Sequence, residues 1–316
     1  MTTAKLLSPS VVPPVLTPYL SGDLPDWESL GRQAAWLADQ GVDGLWLNGS
    51  TGEFHTLTED ERTQTVRTVV EAVAGHDLPI IDNVGATSTR LATRLAERSI
   101  EAGATGLAVV LPYYLHYDEE ECMEYLRSVK RASGGAPIYL YQVPDLVRML
   151  ASDRVILTLL EEGTIQGMKE SWGNLSAFRV LMETAAERGL ELPAFTGDSA
   201  LLTSFMIAGG SGTITALALV LPRHIGRNLR AIRDGDWDLA IRLQSETTRF
   251  VQAMRPAGRP NASRMATIKA LMAIRGIIQT PLLAEPFRQL SQADLDDLRD
   301  NALPILERLE DAATAA

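Results

Sequence analysis

Four lysines, Lys5, Lys130, Lys169 and Lys269, stand in a chain whose other basic residues are all arginine. The distinction is chemical. A guanidinium stays protonated in a protein, whereas a desolvated ammonium can lose its proton and become a nucleophile. Lys5 is terminal, Lys130 falls at a helix end and Lys269 within a helix, and all three read as solvated. Lys169 differs because it follows the apolar run Thr164-Ile165-Gln166-Gly167-Met168. An unprotonated amine there would add to a ketone, and the resulting protonated imine is an electron sink for breaking or forming the adjacent C–C bond. Apolar walls would lower its pKa from about 10.4. A structural ion pair with Glu170 or another carboxylate is the alternative.

Two other segments carry compatible chemistry. Tyr141 ends the run Ile138-Tyr139-Leu140-Tyr141, and a phenol beside an imine can carry a proton to and from the substrate oxygen. A buried aromatic bonded through its hydroxyl to backbone is the plainer reading. In Gly49-Ser50-Thr51-Gly52-Glu53 the glycines permit a tight turn that exposes N–H groups, and the hydroxyls add donors. That combination suits a carboxylate, although a simple strand-to-helix turn needs no more. The four histidines, His55, His76, His116 and His224, form no pair at metal-ligand spacing, so a zinc-dependent aldolase is not expected. His55 reads as a surface residue, and Cys122 as a small buried one.

These residues need elements to hold them. Short apolar runs at Val11–Leu16, Gly44–Leu47, Pro79–Asn83, Gly106–Leu111, Pro137–Tyr141, Ile165–Met168, Ala194–Thr196 and Thr213–Thr215 read as strands buried on both faces. Amphipathic helices lie between them, opened by a capping box at Thr58–Glu61, by Ser88 (with Gly103 at the far end), by the acidic Asp118–Glu121 and by Asp153. Eight strands alternating with helices predict a (β/α)8 barrel. A doubly wound sheet is the rival, but no G-x-G-x-x-G follows the first strand. The barrel is placed at 1–222. Residues 223–316 are read as helices packed on it in one structural unit, including Asp236–Arg255, Ser263–Ile274 and Ser291–Leu309. The Arg-rich helix 223–233 reads as a solvated or subunit-contacting face, and Gly209–Gly212 as a helix stop and turn. With 316 residues and a net charge of −11, the chain offers no surface for nucleic acid. No membrane span or leader pattern is seen, so a cytoplasmic enzyme is expected.

Taken together, GSTGE at 49–53, PYY at 112–114, YQVP at 141–144, GMKES at 167–171 and TGD at 196–198 resemble the dihydrodipicolinate synthase / N-acetylneuraminate lyase family. The resemblance runs from about Val11 through the C-terminal helices. It implies a class I lyase without metal or other cofactor, acting on pyruvate or another 2-keto acid together with an aldehyde. Lys169 would form the imine and Tyr141 would shuttle the proton. Ser50 would link Tyr141 to Tyr114 from a neighbouring subunit of a homodimer or homotetramer. Ser50 and Thr51 would also hold the keto-acid carboxylate, with Gly49 beside them in the substrate-binding set and Gly212 and Ile214 near the imine. Leu146 stands where the lysine-pathway synthases carry Arg, and Asp198-Ser199-Ala200 lacks the acidic pair of the sialic-acid lyases. Leu146, Asp198, Ser199, Phe54 and Trp172 are therefore the candidates for specificity. A dehydratase or deaminase using the same imine is the close rival, and a non-catalytic keto-acid-binding barrel the distant one.

Overall fold

The computed structural model describes residues 10–254 and 263–314. Lys5, the segment read for a leader and the end of the helix read to Arg255 lie outside the described residues. Eight parallel strands form the barrel wall: Ser10–Val11, Leu45–Leu47, Ile80–Asn83, Gly106–Val110, Ile138–Gln142, Gly167–Glu170, Ala194–Thr196 and Gly212–Thr213, here strands one to eight. Strand one pairs with strand eight, and the ladder then runs in sequence back to strand two. A bridge from Pro14 to Trp46 closes the circle, with Val15 N–H donating to Trp46 O at 2.9 Å and Trp46 N–H to Pro13 O at 3.1 Å.

The strand ends differ from the sequence reading for identifiable reasons. Strand one stops at Val11 because Pro13 and Pro14 have no N–H to give a ladder. Strand eight stops at Thr213, and Thr215 turns to cap the 3-10 turn Ala216–Leu219. Strand six starts at Gly167 and includes Lys169, which is thus a strand residue rather than the one after it. A small antiparallel hairpin, Tyr19–Ser21 with Leu24–Pro25, precedes the first helix and was not anticipated.

Caps set the helices. Thr58 with Glu61 and Asp118 with Glu121 form reciprocal capping boxes, and Ser88 caps Thr89–Glu101. The helix expected to start from Asp153 is capped one residue earlier. Ser152 is extended, and its hydroxyl accepts from Val155 N–H, leaving Asp153 as the first helical residue. The last helix, read as continuous, is two helices, Gln292–Asp297 and Leu303–Thr314, joined by a π turn at Leu298–Ala302. Pro304, with no N–H, falls just past that turn. The Arg-rich helix Pro222–Arg233 lies under the final helix, with Arg223 donating to Thr314 Oγ1 at 2.9 Å and Arg227 to Ala312 O at 3.2 Å.

Register pairs Trp46 with Ile81 and Ile81 with Gly106, sets Tyr139 between Ala108 and Gly167, and sets Lys169 between Tyr141 and Phe195, which in turn pairs with Gly212, so that all of these share one face of the wall. Large and absent side chains alternate in this interior. At Gly212, with φ +145, an added Cβ would lie 2.2 Å from Ser10 O, so only glycine lets strand eight approach strand one. The C-terminal helices share a core with the outer side of strand two, which buries Leu45 and Leu47 against residues such as Leu219, Phe250 and Leu306.

Candidate active site

Tyr141 and Lys169 are paired residues on adjacent strands, so the barrel ladder itself brings phenol and amine together. Lys169 Nζ stands 4.3 Å from the centre of the Tyr141 ring and 5.1 Å from that of Trp46. The residue is 4% exposed. Burial among these rings lowers its pKa to about 7, because no carboxylate stands against the ammonium to offset its lost hydration. Consecutive strand residues face opposite sides, so Glu170 points out of the barrel. Its Oε1 accepts from Thr196 Oγ1 at 3.0 Å, and its Oε2 accepts from the N–H groups of Trp172 and Gly173 at 3.0 Å each. A pair between Lys169 and Glu170 is therefore ruled out.

The Tyr141 hydroxyl lies 2.7 Å from Ser50 Oγ. Burial raises its pKa, while hydrogen bonds with Ser50 and Ser171 oppose the rise. The phenol is consequently held protonated. Trp46 meets its ring edge-on at 5.7 Å. Nothing in the sequence shows which way Trp46 turns, since Leu45 and Leu47 on either side are equally apolar, and Ser171 is marked only by its place after strand six.

The Gly49–Glu53 loop is tight, but not for the reason expected. Its left-handed residues are Asn48 (φ 47) and Glu53 (φ 55), which flank the two glycines. The glycines serve close approach instead. A Cβ on Gly52 would come 3.0 Å from Val15 O, and one on Gly49 would come 3.1 Å from the Trp46 ring. The loop closes through Gly52 N–H to Gly49 O at 3.0 Å and Glu53 N–H to Ser50 O at 3.1 Å. Thr17 Oγ1 donates to Gly52 O at 2.7 Å. Ser50 and Thr51 are left half-buried, with Ser50 against the phenol.

The remaining candidates are spread around the barrel mouth. Ile214 is buried just beyond strand eight, donating its N–H to Thr196 O at 2.8 Å. Tyr114 is 93% exposed, with a left-handed φ of 93, and does not reach the Ser50–Tyr141 pair of its own chain. Leu146 sits 63% exposed on the one-turn helix Pro144–Val147, and Trp172 is half-exposed after strand six. Phe54 does not join them. Its ring packs edge-on to Tyr113 at 6.2 Å and under the Arg62 guanidinium at 5.1 Å. Asp198 is tied up capping the turn Ser199–Leu201, accepting from Ala200 N–H at 2.9 Å, and Ser199 O accepts from Gln244. His55 is exposed, its ring against Phe287. Cys122 is buried, with its thiol pushed up to about 11 by desolvation, and carries no nucleophilic character. A separate cavity of about 480 Å³ lies along the helix Pro222–Arg233, among Asp43, Arg223, Arg230 and Thr314, and is lined by none of these groups.

Lys269 overturns its reading as a solvated residue. It is fully buried, ion-paired with Glu53, and donates to Leu282 O at 2.8 Å. The helix Ser263–Ile274 that carries it is apolar on nearly every face, the signal that should have marked its lysine as internal. Lys130 is half-buried, donating to Ala136 O at 2.9 Å.

A (β/α)8 barrel with a desolvated strand-six lysine beside a strand-five tyrosine has the outline of a lyase barrel. The chain belongs to the dihydrodipicolinate synthetase family, whose model matches residues 8–303. It is 32% identical over 294 residues to an uncharacterized DapA-like lyase of Halobacterium salinarum, covering 91% of this chain and 93% of that one. It is 35% identical over 237 residues to the 4-hydroxy-tetrahydrodipicolinate synthase of Natronomonas pharaonis, covering 75% and 79%. The solved structure of a putative dihydrodipicolinate synthetase from Pseudomonas aeruginosa superposes with a TM-score of 0.84 at 26% identity, over 95% of this chain and 99% of that one. Among the described residues no helix is long and apolar enough to cross a membrane, and no three His, Cys, Asp or Glu side chains gather as a metal site.

Proposed function

We propose that the protein is a class I aldolase-type lyase in which Lys169 forms an imine with pyruvate or a related 2-keto acid. The observation that carries this reading is the buried Lys169 amine, without a carboxylate partner, 4.3 Å from the Tyr141 ring. The neutral amine attacks the keto carbon, and loss of the oxygen as water leaves the protonated imine. Tyr141, kept protonated by burial, gives the proton that this departure needs and later handles the proton of the aldol hydroxyl. Ser50, in contact with the phenol, is the next member of the relay. Tyr114 from a second subunit extends it, in a homodimer or homotetramer. Ser50 and Thr51 hold the keto-acid carboxylate, with Gly49 allowing the loop its close approach. Gly212 and Ile214 border the imine, and no metal or other cofactor takes part.

Leu146, Trp172 and Ser199 are proposed to shape the site for the second substrate, an aldehyde, whereas the packing of Phe54 on Tyr113 and Arg62 and the capping role of Asp198 take those two out of the set. The exposed Leu146 and Trp172 offer that substrate apolar rather than charged contacts. Borohydride reduction in the presence of pyruvate tests the imine, with a three-carbon adduct on Lys169 as the expected mass change. Absence of an adduct across a panel of 2-keto acids would refute the reading. Product analysis by NMR then separates aldol cleavage, which yields pyruvate and an aldehyde, from the dehydratase or deaminase reading, which releases water or ammonia.

A further inference from the structure

We infer that Lys269 and Glu53 are positioning residues through which the C-terminal helical extension sets the carboxylate-binding loop. The inference rests on the reading of Ser50 and Thr51 as the groups that receive the substrate carboxylate. Glu53 ends that loop in a left-handed conformation, with its carboxylate fully buried. One carboxylate oxygen pairs with Lys269, which lies 216 residues further along the chain. The other accepts the Ala284 N–H at 3.0 Å. Lys269 also donates to Leu282 O at 2.8 Å and stands 4.4 Å from the centre of the Tyr19 ring. One ion pair thus fastens four pieces of chain: the loop after strand two, the Tyr19 hairpin, the helix Ser263–Ile274 and the segment 282–284.

An ion pair is a costly way to fill a core, since well-packed apolar groups of similar volume are often as stable. What it supplies is direction. The two carboxylate oxygens have fixed donors, so the backbone of Glu53 can take few positions. Glu53 N–H donates to Ser50 O, and Ser50 Oγ reaches Tyr141. A shift at Glu53 is therefore passed through one hydrogen bond to the serine beside the phenol. Groups that bind a ligand productively must be held to within about 0.5 Å by the shell behind them. The barrel strands alone cannot do this here, because the loop leaves strand two after Leu47 and its far end has no ladder partner.

The test is a titration of pyruvate in the borohydride trapping assay, applied to the full chain. Lys269→Met with Glu53→Ala removes the tether without leaving a buried charge. Glu53→Gln keeps the size and the acceptor for Ala284 N–H but loses the charge. Both are expected to raise the pyruvate concentration for half-maximal trapping by about tenfold or more, while the adduct yield at saturation stays that of the parent protein. A merely structural pair would instead lower the melting temperature and the folded fraction, with half-saturation of the folded protein unmoved. Half-saturation within twofold of the parent in whichever of the two variants folds overturns the inference. Failure of the parent protein to form any adduct would instead strike the proposed function, so the two failures are distinguishable.

Discussion

Among the described residues two lysines are buried, Lys169 in the barrel and Lys269 in the C-terminal extension, and their surroundings differ. Lys269 has a carboxylate against its ammonium, a carbonyl on another proton and an aromatic face nearby. Burial pulls its pKa down to about 8, and Glu53 opposes the fall. Lys169 is enclosed by Tyr141 and Trp46, with burial alone acting on it, and falls to about 7. Burial by itself therefore does not make a nucleophile. The carboxylate against Lys269 is what separates the two sites, because it favours the charged form of that lysine.

The widest gap between the two should open in catalysis. Lys169→Ala is expected to abolish the borohydride adduct and lower turnover by about four orders of magnitude or more, with the circular dichroism spectrum unchanged. Turnover near that of the parent protein would erase the distinction at once. Tyr141→Phe, which deletes only the hydroxyl bonded to Ser50, should leave pyruvate binding and slow turnover by about two to four orders of magnitude.

A sharper comparison uses one substitution at both sites and reads stability. Lys269→Met strands the Glu53 carboxylate in the core and should cost about 3–5 kcal/mol in urea unfolding. Lys169→Met should act in the opposite direction at neutral pH. The folded pKa lies below the unfolded one, so the unfolded chain binds more protons between pH 7 and about 10.4, and stability rises with pH across that window. Below pH 7 the full penalty of burying the ammonium is present. Removing the amine should stabilise the protein by about 2–5 kcal/mol at pH 7, with the gain shrinking towards pH 10. If both Met variants are destabilised alike, the contrast between the sites is wrong.

The two lysines also differed in how far they could be read from sequence. Lys169 was legible because its neighbours in sequence are its neighbours in space. A short apolar run makes a strand, and adjacent strands place Tyr141 beside it. For Lys269 the apolar helix signalled burial but nothing signalled the partner, since Glu53 comes from the far end of the chain and only the closed barrel makes them meet. The same rule covers smaller errors. The prolines that shorten strand one are local, and their effect could have been foreseen. That Phe54 turns to Arg62 and Asp198 to its own turn depends on packing that no spacing encodes. The left-handed Asn48 and Glu53 were hidden behind glycines that a sequence makes more conspicuous.

The smallest effect, and the most direct measure of the desolvation argument, is the pH dependence of trapping. Only the neutral amine attacks, and Lys169 is protonated below about pH 7. The rate of adduct formation at low pyruvate should therefore be level above that point and fall about tenfold per pH unit beneath it. Trp46 supplies one of the two rings next to the amine, so replacing it with leucine admits water on that side. Better hydration favours the ammonium, and the midpoint should move up in Trp46→Leu, whereas Glu53→Gln, remote from the amine, should leave it in place. A midpoint unmoved by the loss of the indole would mean that the rings do not set the proton affinity of Lys169. The contrast with Lys269 would then have to rest on the carboxylate alone.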